Sequence, residues 1–120
     1  MSAGPVDVGA LADLEDGAIA RVRLGRRSVG VVRLGREAVA FADRCPHMGA
    51  PLCAGTIAWR LAGTRDGGLE RAQAVLKCPW HAWEFDLRGG RALDDPGSRV
   101  RTYRTVVEGG RVLVDVGRHG

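Results

Sequence analysis

Two short segments mirror each other: Cys45-Pro46-His47-Met48-Gly49 and Cys78-Pro79-Trp80-His81. Each offers one thiol and one imidazole on a loop stiffened by proline. If both serve one centre, the fold must bring together loops separated by the whole stretch 48–77. Two Cys and two His suit either zinc or an iron–sulfur cluster. Zinc fingers usually pair like with like, a Cys-x-x-Cys knuckle facing a His pair. Here each loop mixes the two residue types, at one residue's separation in the first loop and two in the second. The block 45–97 holds all three cysteines, all three tryptophans and two of the three histidines.

The flanks of this block read as strands. Ile19 to Leu24 alternates apolar and charged residues, the two-residue period of a half-buried strand. Ser28 to Leu34 supplies β-branched residues for a second strand, and Glu37 to Asp43 reads as a third. Gly25 and Gly35 punctuate between them, a meander. Val100 to Val107 and Arg111 to Val116 flank Glu108-Gly109-Gly110, which predicts a hairpin. Ala10 to Asp16 has room for one helical turn. Gly supplies 18 of 120 residues, about twice the usual ~7% share, in keeping with many turns. The expectation is one domain over 1–120: an all-β, antiparallel sandwich or barrel scaffold with an inserted functional block at about 43–97.

Composition removes several alternatives. No stretch approaches the ~20 apolar residues that span a membrane. The first residues show no basic region with an apolar run behind it, so no secretory signal is read, and the cytoplasm is the expected compartment. Three cysteines do not make a disulfide scaffold. The net charge of +4 rests almost wholly on arginine, since Lys77 is the only lysine. With few aromatics outside the block, it reads as a solvated surface and not a nucleic-acid face.

The paired motif, Cys-x-His followed at a distance by Cys-x-x-His, resembles the Rieske signature. Cys45 to Leu52 (CPHMGAPL) and Cys78 to Leu87 (CPWHAWEFDL) are similar to the ferredoxin-type members almost letter for letter. Asp95-Pro96-Gly97 resembles the proline loop that covers the third side of the centre, and the similarity spans roughly residues 5–116. The resemblance implies the Rieske iron–sulfur fold and one 2Fe-2S cluster per chain. Cys45 and Cys78 would hold one iron, His47 and His81 the other. Two departures stand out. Ala82 occupies a position where the family usually has glycine. The interval from His47 to Cys78 is also longer than in oxygenase-linked members, with the excess expected at 57–75 as a surface loop or short helix.

The resemblance also implies a function. High-potential members carry an extra disulfide and hydroxyl donors near the cluster. Here Ala50 and Trp80 stand at the disulfide positions, and Trp83 and Phe85 where the donors would be. The potential is therefore expected at the low end of the Rieske window of ~−150 to +300 mV. Only His119 is left to hold a mononuclear iron of the kind an oxygenase needs, so the chain is expected to have no catalytic site of its own. The leading expectation is a one-electron carrier between a flavin-dependent reductase and a terminal oxygenase. Second comes a small subunit of a larger reductase, such as a nitrite reductase, and third a zinc-binding interaction module. Trp80, Trp83 and Phe85 are expected to shield the centre, Trp59 to pack under the insertion, and Cys53 to be a small buried hydrophobe.

Overall fold

Alternating residues and glycine turns build the first half of the chain as a meander. The computed structural model describes residues 4–46, 48–80, 83–95 and 97–118. Strand β1 (Val6–Ala10) runs into a 3₁₀ turn at Leu11–Asp13, the expected single turn. Strands β2 (Ile19–Leu24), β3 (Arg27–Leu34) and β4 (Glu37–Ala42) follow, each antiparallel to the last. Gly25 and Gly35 open the two hairpin turns at φ +63° and +66°, where a side chain would be strained.

After a three-stranded sheet made of β5 (Thr56–Gly63), β6 (Leu69–Lys77) and β7 (Glu84–Asp86), the chain returns to the scaffold. It ends with the predicted hairpin, β8 (Thr102–Glu108) and β9 (Arg111–Asp115). Strand β8 starts two residues later than the sequence suggests, because the Val100 N–H is already committed to the Gly90 carbonyl at 2.8 Å.

The larger sheet has the order β1-β9-β8-β4-β3-β2. Its inner side chains, among them Val29, Val31, Ala40, Tyr103, Val112 and Val114, form one buried cluster. Val8 from one edge strand and Val22 and Leu24 from the other pack against that same cluster. Two opposite edges reach one core only if the sheet curls on itself, which gives the sandwich-like, nearly closed scaffold.

A second core lies on the outer faces of β3 and β4. Val32, Leu34 and Phe41 are buried there with Leu52, Leu76, Phe85, Leu87, Val100 and the two cysteines Cys45 and Cys78. Buried on both faces, β3 has no polar residue between Val29 and Val32, the pattern of a strand with no solvated side.

The segment 57–75 corrects the expectation of a loop or short helix. It forms most of the hairpin β5–β6, paired from Thr56↔Lys77 to Gly63↔Leu69. Two features hide it in the sequence. Alanine, leucine and arginine dominate where β-branched residues would announce strands. A bulge between Arg60 and Leu61 also breaks the two-residue period. Its turn is closed by Thr64, whose N–H meets the Gly68 carbonyl at 2.9 Å and whose hydroxyl bonds Asp66. Ala74, Val75 and Leu76 at the base are buried, whereas Leu61 and Leu69 near the tip are exposed. Among the described residues no helix is long and apolar enough to cross a membrane.

One close approach locks the shared wall between the two cores. Gly30 pairs with Phe41, and a Cβ at Gly30 would lie 2.3 Å from the Phe41 ring. The ring is fully buried and has no room to retreat. Gly30→Ala is expected to lower folding stability by about 1–3 kcal/mol, the usual cost of overpacking. Urea unfolding checks this, and an unchanged midpoint would contradict the contact.

Candidate metal centre

Both cysteines of the paired motif stand at the necks of closed loops. The Cys45 N–H donates to the Ala50 carbonyl at 2.8 Å, and the Gly49 N–H returns to the Cys45 carbonyl at 2.8 Å. Beyond β6, the Cys78 N–H donates to the Trp83 carbonyl at 2.7 Å. One loop leaves β4 and the other bridges β6 and β7, so strand pairing within each sheet fixes where each neck sits.

The structure brings Cys45 and Cys78 together. Both are buried free thiols in the second core, and their sulfurs lie within hydrogen-bonding reach of each other. Burial holds the Cys78 thiol above its ordinary value and the Cys45 sulfur adds to this, while the Trp80 N–H works in the opposite direction. A metal bound here must therefore displace protons that the site otherwise keeps. Two soft sulfurs side by side in an apolar wall suit a thiophilic metal such as iron or zinc. His47 and His81, with Ala82, Pro96 and His119, lie outside the described residues. Among the described residues no three metal-ligating side chains converge, so the cysteine pair is the part of the centre on view.

The aromatic residues divide. Phe85 is fully buried, and Trp83 packs on the same core with its ring 6.4 Å from that of Phe85. Trp80 departs from the shielding role: it is 47% exposed, like Met48 of the first loop at 53%. Trp59 lies on the hairpin itself, packs on the second core and carries the Arg71 guanidinium 4.9 Å from its ring centre. Asp95 orders the third loop, accepting from the Gly97 N–H at 3.1 Å and the Ser98 hydroxyl at 2.9 Å.

Two residues beside the centre gain roles that sequence reasoning missed. Asp43 accepts hydrogen bonds from Cys53 and Ser28 and pairs with Arg21. Cys53 packs on the second core as expected but is only half-buried, and its thiol lies against Asp43 and Arg21. Its one visible signal was position, a cysteine just beyond the first loop.

Residues 4–104 match the family described as Rieske [2Fe-2S] domain. The chain belongs to the Rieske family. This Rieske chain is 32% identical over 109 residues to the ferredoxin component of the alkene monooxygenase system of Xanthobacter autotrophicus, covering 91% of this chain and 79% of that one. Among solved structures it superposes on the ferredoxin in a complex of reduced oxygenase and oxidised ferredoxin of carbazole 1,9a-dioxygenase. The TM-score is 0.72 and the identity 28%, over 97% of this chain and 95% of that chain. It is also similar to a Mycobacterium tuberculosis chain assigned as an NADH-dependent nitrite reductase small subunit, with TM-score 0.73 and 27% identity over 92% of each. The cofactor of this Rieske chain is accordingly a 2Fe-2S cluster, which the cysteine pair fits and which displaces the zinc reading.

Burial first, and then the Asp43 carboxylate, push the Cys53 thiol from 9.0 up to about 12, with Arg21 opposing. A raised thiol favours the protonated form in the folded state. Its contribution to stability is complete below pH 9 and is lost as pH rises toward 12. Wild type should therefore lose more stability than Cys53→Ala between those limits, measured by urea unfolding across the range. Parallel losses in the two proteins would contradict the buried thiol.

Proposed function

We propose that this Rieske chain is a cytoplasmic one-electron carrier, taking electrons from a flavin-dependent reductase and delivering them to a terminal oxygenase. Cys45 and Cys78 hold one iron and His47 and His81 the other. The bound cluster supplies a one-electron redox couple; the chain supplies its surroundings. Leu52, Phe85, Leu87 and Val100 exclude water from the sulfur side. Met48 and Trp80, both exposed, are the sequence neighbours of His47 and His81. These two exposed side chains are the surface on which a partner docks. The chain does no substrate chemistry itself.

The observation that carries this reading is the pair of buried sulfurs at the necks of two matching loops. It occurs in a chain whose similarity to an oxygenase ferredoxin runs nearly end to end. The likeness to a nitrite reductase small subunit favours a second reading, in which the same domain is a fixed subunit of a larger reductase.

Reconstitution separates the two. Added to an NADH-dependent flavoprotein reductase and an oxygenase lacking its own carrier, the chain should restore product formation, and alone it should form none. Cys78→Ser and His81→Ala should lose the visible absorption of the cluster and the coupling together, whereas Cys53→Ala keeps both. Product from the chain alone would contradict the carrier reading. Obligate co-purification with a large reductase would favour the second one.

A further inference from the structure

One carboxylate closes the base of the loop that carries Cys45. The Asp43 side chain is 6% exposed and sits two residues before Cys45. Its Oδ1 accepts from the Cys53 backbone N–H at 2.7 Å, and its Oδ2 accepts from the Ser28 hydroxyl at 2.7 Å and Arg21 Nε at 3.1 Å. Its own N–H donates to the Ser28 carbonyl at 3.1 Å. The donors come from three places: Arg21 from β2, Ser28 from β3, and Cys53 from the 3₁₀ turn Leu52–Ala54 at the far end of the loop.

Segment 43–53 therefore begins and ends at the same side chain. Its counterpart needs no such device. The second loop joins β6 directly to β7, whose pair Lys77↔Glu84 lies immediately below the neck. Between Ala42 and Thr56 the described residues belong to no strand. Beyond the single backbone bond from Asp43 to Ser28, what ties the first loop to the scaffold is the buried Ala50 and Leu52 and the Asp43 carboxylate. Arg21 is mostly exposed and adds little to that hold. The bonds from Cys53 and Ser28 are shielded and made to a charged acceptor, the stronger kind.

We propose that Asp43 is the positioning residue of the metal centre: by closing the loop it fixes where the Cys45 sulfur stands, and so how long the chain retains its cluster. This rests on the reading of Cys45 as a ligand. Cluster loss begins when one loop opens, and the loop without strand pairing opens first. Asp43→Ala leaves the Cys53 N–H without its acceptor and frees the loop base. Asp43→Asn keeps an acceptor oxygen for that N–H.

The test follows bleaching of the visible absorption of the loaded protein in excess iron chelator, with visible circular dichroism as a probe of metal–sulfur geometry. Asp43→Ala should lose its cluster about ten- to a hundredfold faster than wild type, the ratio expected for a lost charge-assisted bond, and its dichroism should change. Asp43→Asn should stay within about threefold, because its retained bond is a neutral one. Ser28→Ala, which removes one donor, should fall between Asp43→Asn and Asp43→Ala and serves if Asp43→Ala does not load. Val112→Ala, a lesion in the other core, should lower global stability with wild-type dichroism and retention. Asp43→Ala bleaching no faster than Val112→Ala, or Asp43→Asn as fast as Asp43→Ala, would overturn the proposal. Retention of the cluster by Cys78→Ser would instead overturn the ligand reading on which it rests.

Discussion

Everything in this fold serves the meeting of two sulfurs. Cys45 and Cys78 are far apart in sequence, and each sits at the end of a different sheet. Placing them side by side, buried and unoxidised, requires the two sheets to hold a fixed relation. That relation is set by β3 and β4, which carry apolar side chains on both faces. The inner face closes the scaffold, and the outer face receives Leu76 and Phe85 from the second sheet and Leu87 just beyond it. A displacement at this shared wall is felt by both cores, because close-packed interiors do not absorb it.

The two loops are anchored by different physics. The second hangs from strand pairing, with Lys77↔Glu84 directly under its neck. The first has no strand partner and closes on a carboxylate and two buried apolar residues. A bound metal adds bonds across both necks and stabilises the folded arrangement it joins. The asymmetry matters because the weaker anchor governs when a shared centre opens. It also places charge where it is tolerated: Asp43 is shielded but satisfied by three donors, and no buried side-chain nitrogen or oxygen among the described residues lacks a partner.

What could be read in the sequence was local. Ile19–Leu24 announces itself by alternation, the hairpin turns by their glycines, and the two necks by the mixed Cys/His spacing, which needs only adjacent residues to be seen. What could not be read depends on register or on distance. Strand β5 carries alanine and arginine where β-branched residues would signal a strand, and a bulge interrupts its period, so its identity comes from pairing with β6. The role of Asp43 arises because β2 and β3 deliver Arg21 and Ser28 to one point, which no spacing rule reveals. Trp80 looks like core by residue type, yet its loop leaves it exposed.

In the proposed centre each loop contributes one thiolate and one imidazole to a single 2Fe-2S cluster. Nitrogen hyperfine spectroscopy on the reduced protein tests it most directly, because imidazole bound to the reducible iron couples to the unpaired electron and thiolate carries no nitrogen. Two strongly coupled imidazole nitrogens are expected, with both signals lost when histidine is labelled with an isotope that shifts them. A reduced cluster with no strongly coupled nitrogen would mean that neither histidine binds the reducible iron. It would contradict the pairing of the two mixed Cys/His loops around one cluster.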